Sequence, residues 1–325
     1  MEHSSRQIHD KSCDLFIVDV IGVICRGSID WIDSCQSRKS TMTSPWNLAR
    51  ADVLIDGRRI ATGHVGEGPP LVLVHGTPAH SIVWRNVIPA CRDAGFSVHW
   101  FDLLGFGESE CPVDADTSVA EQARVLQRLL EHWSLDAVHL VGHDIGGVAA
   151  LLYAMNAGER LRSLTIADAP GYDSWPSPTW REFRDDYQRF ARVDAERHRE
   201  LMKRQLKMAV HDKSRMTGEL LACYLKPISG VIGQSGFYRN QVAHYDSRYT
   251  ADFGERLPKL ALPVQILWGA QDEWQPLDYA YRLQSDIPGA VLNVLDACGH
   301  FLMEDDPSGV ARHIVDFANS HRPGS

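Results

Sequence analysis

The sequence predicts an α/β fold: a mostly parallel central sheet with helices on both faces, interrupted once by an inserted helical cap. Three observations predict it. Short apolar runs of strand length alternate with stretches of helical periodicity between Leu71 and Ala167, and such alternation builds a parallel sheet covered on both sides. The rhythm stops at Gly171 and resumes at Val264, with a charged, aromatic, helically patterned stretch between. One apolar run also ends in Gly142-His143-Asp144-Ile145-Gly146, the composition of a tight strand-to-helix turn.

In chain order, the one stretch with leader-like hydrophobicity, Leu15 to Cys25, is interrupted by Asp19 and preceded by His9, Asp10 and Asp14 where a basic region belongs. Residues 1–41 are therefore expected to be an accessory or disordered extension, and no function is assigned to them. Ala51 to Ala61 reads as a hairpin turning at Asp56-Gly57. Leu71-Val72-Leu73-Val74 is a buried strand running into His75-Gly76-Thr77-Pro78, and Trp84 to Ala94 has a helical pattern. Ser97 to Phe101 is the next strand, followed by Asp102 to Ser109 as a loop. Val119, Ala123, Leu126, Leu129, Leu130 and Trp133 mark a helix by their spacing. The Val138 strand, a helix over Val148 to Met155 and a strand over Leu161 to Ala167 follow. After the cap come strands at Val264 to Trp268 and Ala290 to Leu295 and a closing helix over Pro307 to Asn319. The expected organisation is an extension over 1–41, a first core segment over 42–171, the cap over 172–257 and a second core segment over 258–325.

Composition narrows the function classes. A chain of 325 residues with 44% hydrophobic content buries a sizeable core, and its net charge of −9 argues against nucleic acid and anionic membranes as partners. Seven cysteines, an odd number without C-x-x-C spacing, suggest neither a disulfide framework nor a zinc site, which points to reduced thiols and a cytoplasmic location. No run reaches the ~18 apolar residues of a membrane span. Gly105-Phe106-Gly107 is not a dinucleotide loop, because Glu110 stands where a third glycine belongs. No metal or cofactor is implied.

The tight turn at Asp144 has glycines on either side, at Gly142 and Gly146, where flanking Cβ atoms would not fit. Together with His75-Gly76-Thr77-Pro78, Asp102 to Ser109 and Cys298-Gly299-His300, it resembles the α/β-hydrolase fold over roughly residues 52–320. Asp144 occupies the place of the serine in the G-x-S-x-G elbow. In that respect the chain resembles the haloalkane dehalogenase and epoxide hydrolase branch, as does Val83-Trp84-Arg85-Asn86-Val87-Ile88-Pro89. The resemblance implies a catalytic set of Asp144 as nucleophile, Asp272 as acid and His300 as base, with the backbone N–H groups of Thr77 and Ile145 as oxyanion donors. Asp168, ending the strand after the elbow helix, is the other position where relatives place the acid. His75 and His143 are read as structural, since neither has a ligand partner at metal spacing.

The residue type carries chemical meaning. An aspartate is already anionic near neutral pH and attacks saturated carbon directly, whereas on an acyl carbon it would form a mixed anhydride. The expected reaction is therefore displacement at an alkyl carbon, giving an ester on Asp144 that His300-activated water cleaves. The expected substrate is a small apolar organic molecule. Epoxide opening needs acidic hydroxyls, and six tyrosines lie in the cap: Tyr172, Tyr187, Tyr224, Tyr238, Tyr245 and Tyr249, with Tyr238 and Tyr245 favoured as substrate-binding. Halide release needs N–H donors. Ile145 and Thr77 stand where dehalogenases usually carry Trp and Asn, which leaves Trp175 or Trp180 as substitutes. Epoxide hydrolysis leads, haloalkane dehalogenation is the alternative, and a non-hydrolytic enzyme (isomerase, lyase or cofactor-free oxygenase) or a ligand-binding protein on the same scaffold stays open.

Overall fold

The computed structural model describes Leu48 and residues 50–322, so the expected extension over 1–41 lies outside the described residues. Eight strands form one sheet in the order β1-β2-β4-β3-β5-β6-β7-β8. They are β1 (Ala51–Ile55), β2 (Arg58–Val65), β3 (Pro70–Val74), β4 (Ser97–Phe101), β5 (Val138–His143), β6 (Leu161–Ala167), β7 (Val264–Gly269) and β8 (Val291–Leu295). β1 and β2 pair antiparallel, as do β2 and β4, and the remaining pairs are parallel. The hairpin turns at Asp56 (φ 49°) and Gly57 (φ 77°), the pair of positive φ angles that a two-residue turn requires.

Helices α1 (Ile88–Asp93), α2 (Val119–His132), α3 (Ile145–Ala157), α8 (Leu277–Asp286) and α9 (Pro307–Asn319) accompany the sheet, α2 packing on α3 and α1 on α9. Between β6 and β7 lie α4 (Pro178–Asp185), α5 (Ala195–Met208), α6 (Gly218–Leu225), α7 (Gly230–Gly236) and several shorter helical turns, the helical insertion read from the sequence. No helix among the described residues is long and apolar enough to cross a membrane.

Two helices differ from expectation. The pattern over Trp84 to Ala94 splits into a 3₁₀ turn at Ser81–Trp84 and α1, which starts at Ile88 with Pro89 in its first turn, where a missing N–H costs nothing. Helix α3 begins at Ile145 rather than Val148, because Asp144 caps it.

The register aligns the C-terminal ends of the central strands. Val74 pairs with Gly142, His143 with Ala167, Ala167 with Leu267, and Gly269 with Leu295. Loops that leave these ends therefore converge at one rim of the sheet, the rim at which α/β proteins place their sites. Thr77, Asp144, Asp272 and His300 all lie on those loops.

Candidate active site

Asp144 joins a fully buried strand, β5, to a helix whose first ten residues are buried. Its backbone has φ 51° and ψ −128°, a conformation that costs a residue with a Cβ on the order of 1–3 kcal/mol. The surroundings impose it: Asp144 N donates to Ala167 O at 3.0 Å, and Asp144 O accepts from Gly147 N at 2.8 Å and Val148 N at 3.2 Å. A Cβ on Gly142 would stand 2.5 Å from Gly146 O, and one on Gly146 would stand 2.3 Å from His75 O. Gly76, which sequence reasoning passed over, is equally constrained, since its Cβ would meet Asp144 Cβ at 2.4 Å.

His300 follows β8 and contacts both aspartates. Its Nδ1–H donates to Asp272 Oδ2 at 2.8 Å, and its Nε2 lies 3.3 Å from Asp144 Oδ2. Asp272 is held in turn by the N–H groups of Trp274 (2.7 Å) and Gln275 (3.0 Å) on its other oxygen. Asp168 makes no such contact with His300. Its Oδ1 accepts the Gly269 N–H at 2.9 Å, and burial together with the neighbouring Asp272 charge pushes its carboxyl well above the usual carboxylate range. Burial disfavours charge on His300, yet the Asp272 and Asp144 carboxylates outweigh it and hold the imidazole well above its ordinary pKa. Burial raises the Asp144 carboxyl, against the opposing pull of His300 and of the Ile145 N–H.

That Ile145 N–H donates to Asp144 Oδ1, while the other carboxylate oxygen faces His300. Two further histidines shape the site. Neutral His75 donates from Nδ1 to Gly76 O (2.9 Å) and accepts the Leu103 N–H at Nε2 (2.9 Å), with burial lowering its pKa to about 4. His143, the last residue of β5, bonds through Nε2 to the His300 carbonyl at 2.9 Å.

Asp144 opens onto a cavity of about 200 Å³ whose walls include Trp175, Trp180, Phe237, Trp274 and Tyr245, and among the described residues no Lys or Arg lines it. Of the four residues expected to bind substrate, Trp175, Trp180 and Tyr245 line this cavity and Tyr238 does not. It is fully buried outside the cavity, its ring stacks on Phe190, and its hydroxyl lies 3.3 Å from His198 Nδ1. Of the other four cap tyrosines, Tyr172 bonds Asp286, Tyr224 bonds Glu304 and Tyr249 bonds Arg248, and Tyr187 does not line the cavity. Tyr245 lies in the cavity with its hydroxyl 2.5 Å from Thr77 Oγ1.

Sequence reasoning also missed Trp274 and Gln241. The Trp274 ring centroid is 4.7 Å from that of His300, and its position two residues after Asp272 was the available signal. Gln241 accepts from Thr77 Oγ1 at 3.1 Å across 164 residues of chain, and nothing local announces it.

The comparisons with known proteins agree with this architecture. The family model described as alpha/beta hydrolase fold matches residues 69–307. A crystal structure of an alpha/beta hydrolase fold protein from Burkholderia ambifaria is 33% identical, with a TM-score of 0.78 over 83% of this chain and 98% of that one. The epoxide hydrolase CorEH is 25% identical, with a TM-score of 0.68 over 85% of this chain and 100% of that one. A 2-hydroxy-6-oxononadienedioate/2-hydroxy-6-oxononatrienedioate hydrolase from Cupriavidus pinatubonensis is 27% identical over 80% of this chain and 90% of its own length. With the sheet order, the Asp144 turn and the convergent loops already in place, the chain belongs to the α/β-hydrolase fold family.

Proposed function

We propose that this hydrolase opens epoxides through a covalent alkyl ester on Asp144, with Tyr245 as the acid. One observation carries the reading: among the described residues the cavity is lined by no Lys or Arg and presents the Asp144 carboxylate together with one phenol, Tyr245. Asp144 Oδ2 attacks an epoxide carbon, the C–O bond breaks toward oxygen, and Tyr245 gives that oxygen its proton. Asp144 Oδ1 stays in the oxyanion position beside the Ile145 N–H.

Ester formation removes the Asp144 charge, one of the two carboxylates that hold the His300 proton. The imidazole pKa then falls, His300 gives its proton to solvent, and the neutral ring is the base that takes a proton from water, solvent returning the first proton once Asp144 is a carboxylate again. Asp272 keeps the ring oriented throughout. Hydrolysis of the ester returns Asp144 as a carboxylate, releases the diol and yields the proton that restores Tyr245.

The hydrolases of nonadienedioates among the relatives act, by their names, on dianions. A cavity lined by Asp144 and Glu273 but by no Lys or Arg is a poor host for a dianion, and an aspartate is a poor nucleophile for an acyl carbon. A second reading has its own support. The indole nitrogens of Trp175 and Trp274 are buried without a protein hydrogen-bond partner, and both side chains line the cavity. They are candidate donors to a departing halide, as the dehalogenase reading requires.

Turnover assays with neutral terminal epoxides, bromoalkanes and the dienedioate test these readings against one another. Diol formation from epoxides that falls about 10²-fold or more in Tyr245→Phe is expected. Bromide release that is indifferent to Tyr245→Phe would instead establish the dehalogenase reading. Turnover of the dienedioate alone would contradict both.

A further inference from the structure

The cavity contains a hydroxyl contact that the proposed reaction does not yet use. Thr77 Oγ1 lies 2.5 Å from Tyr245 Oη and 3.1 Å from Gln241 Oε1. Gln241 Nε2 is turned the other way, 3.4 Å from Gly105 O. A threonine hydroxyl has one proton to give and accepts through its lone pairs. With Gln241 Oε1 taking the Thr77 proton, Tyr245 donates to Thr77, and the chain of bonds runs from Tyr245 through Thr77 and Gln241 to Gly105. In this resting arrangement the Tyr245 proton is aimed at Thr77 and is not available to a substrate. Gln241 reaches Thr77 from the end of the π-helical turn Phe237–Gln241, a type of irregularity often found at functional sites.

We propose that the Thr77 side chain, apart from its backbone N–H, is the positioning residue that releases the Tyr245 proton to the leaving oxygen. Rotation about the Thr77 Cβ–Oγ1 bond exchanges the Gln241 acceptor for Tyr245. The Tyr245 proton moves to the epoxide oxygen as Asp144 forms the new C–O bond and the ring C–O bond breaks. The phenolate left behind accepts the Thr77 hydroxyl proton as a hydrogen bond. The later ester hydrolysis supplies one proton, which returns to Tyr245, so the cycle balances as epoxide plus water to diol.

The electrostatics agree with this division of labour. Burial and the charge of Asp144 push the Tyr245 phenol far above its ordinary range, Tyr238 adds to the push, and the bond to Thr77 pulls the other way. Without the Thr77 hydroxyl the phenolate would lose a donor in this buried setting, and a buried charge with fewer partners is costlier.

The inference rests on the epoxide reading, and the experiment separates the two. In a His300→Gln background, the rate of alkyl-enzyme formation from a terminal epoxide is read by intact-protein mass spectrometry. Thr77→Val keeps the shape and the backbone N–H but loses the hydroxyl, and is expected to slow alkylation about 10²-fold. Thr77→Ser keeps the hydroxyl and is expected to stay close to the parent rate. Adding Thr77→Val to Tyr245→Phe is expected to cost nothing further, because the two groups act as one unit. Thr77→Ala serves as the second hydroxyl-free variant should Thr77→Val fold poorly by circular dichroism. Full-rate alkylation in the hydroxyl-free variants, or equal losses in Val and Ser, would overturn the Thr77 role and leave the epoxide reading standing. An additive loss on Tyr245→Phe would do the same. Absence of any epoxide adduct in the parent would overturn both.

Discussion

Asp144 combines a strained backbone, a buried carboxylate and two different environments for its two oxygens, and each has a measurable consequence. Its carboxyl is raised above the ordinary value of 3.8, chiefly by burial. Alkylation needs the ionised form, so its rate is expected to fall as pH drops, with a midpoint above that ordinary value in stopped alkylation assays. Asp144→Asn removes a buried charge while keeping the shape, and is expected to abolish turnover yet raise the melting temperature at neutral pH. Tyr245 and Tyr238 make a contrasting pair. Tyr238→Phe is expected to leave kcat near the parent value, because its hydroxyl faces His198 outside the cavity. The sequence distinguished Asp144, Asp272 and His300 from their neighbours because strand ends and glycines mark such positions locally. It did not distinguish Tyr238 from Tyr245, because only the path of the chain through the Phe237–Gln241 turn decides which ring enters the cavity.

At the scale of elements, the cap is fastened to the core by a buried ionic cluster. Arg85, next to the 3₁₀ turn, grips Glu304 with two bonds of 2.5 and 2.7 Å, and Tyr224 of α6 donates to the same carboxylate at 2.6 Å. Arg85 and Glu304 are almost fully buried, and Glu304 follows His300 by one helical turn. Asp305 accepts the N–H groups of Gly299 (2.8 Å) and His211 (2.7 Å), tying the His300 loop to the segment after α5. Glu304→Ala removes the carboxylate that balances the buried Arg85 charge and is expected to cost about 3–5 kcal/mol in denaturant unfolding, with kcat reduced in the fraction that stays folded. The strand Pro70–Val74 was legible because a buried parallel strand reads as a continuous apolar run. The 3₁₀ turn at Ser81–Trp84 was not, because it is set by packing of its four buried residues rather than by any local period.

Across the whole molecule, several buried histidines remain neutral. Burial holds His75, His99 and His139 at pKa values of about 4. In the unfolded chain these side chains titrate near 6.5, so between about pH 6.5 and 4 the unfolded state binds protons that the folded state refuses. Stability is therefore present in full above pH 6.5 and is lost as pH falls toward 4. Each such group contributes a slope of up to about 1.4 kcal/mol per pH unit. Urea unfolding at pH 7.5 and pH 5 is expected to show this loss, and His99→Gln is expected to reduce the slope. The fold as a whole was readable from the alternation of strands and helices. The rim where the site assembles followed from the order of the motifs, while the identity of the cavity wall depended on how one insertion packs.

Intact-protein mass spectrometry of His300→Gln, incubated with epoxides and, separately, with bromoalkanes, reads the covalent role of Asp144 directly. This variant lacks the base for ester cleavage, so the covalent species is expected to accumulate. A mass increase equal to one epoxide molecule, mapped to Asp144 by peptide sequencing, is the expected result. An adduct from a bromoalkane with bromide released would keep Asp144 as nucleophile and change the leaving group. No adduct from either panel, or one mapping to any other residue, would contradict the covalent role of Asp144.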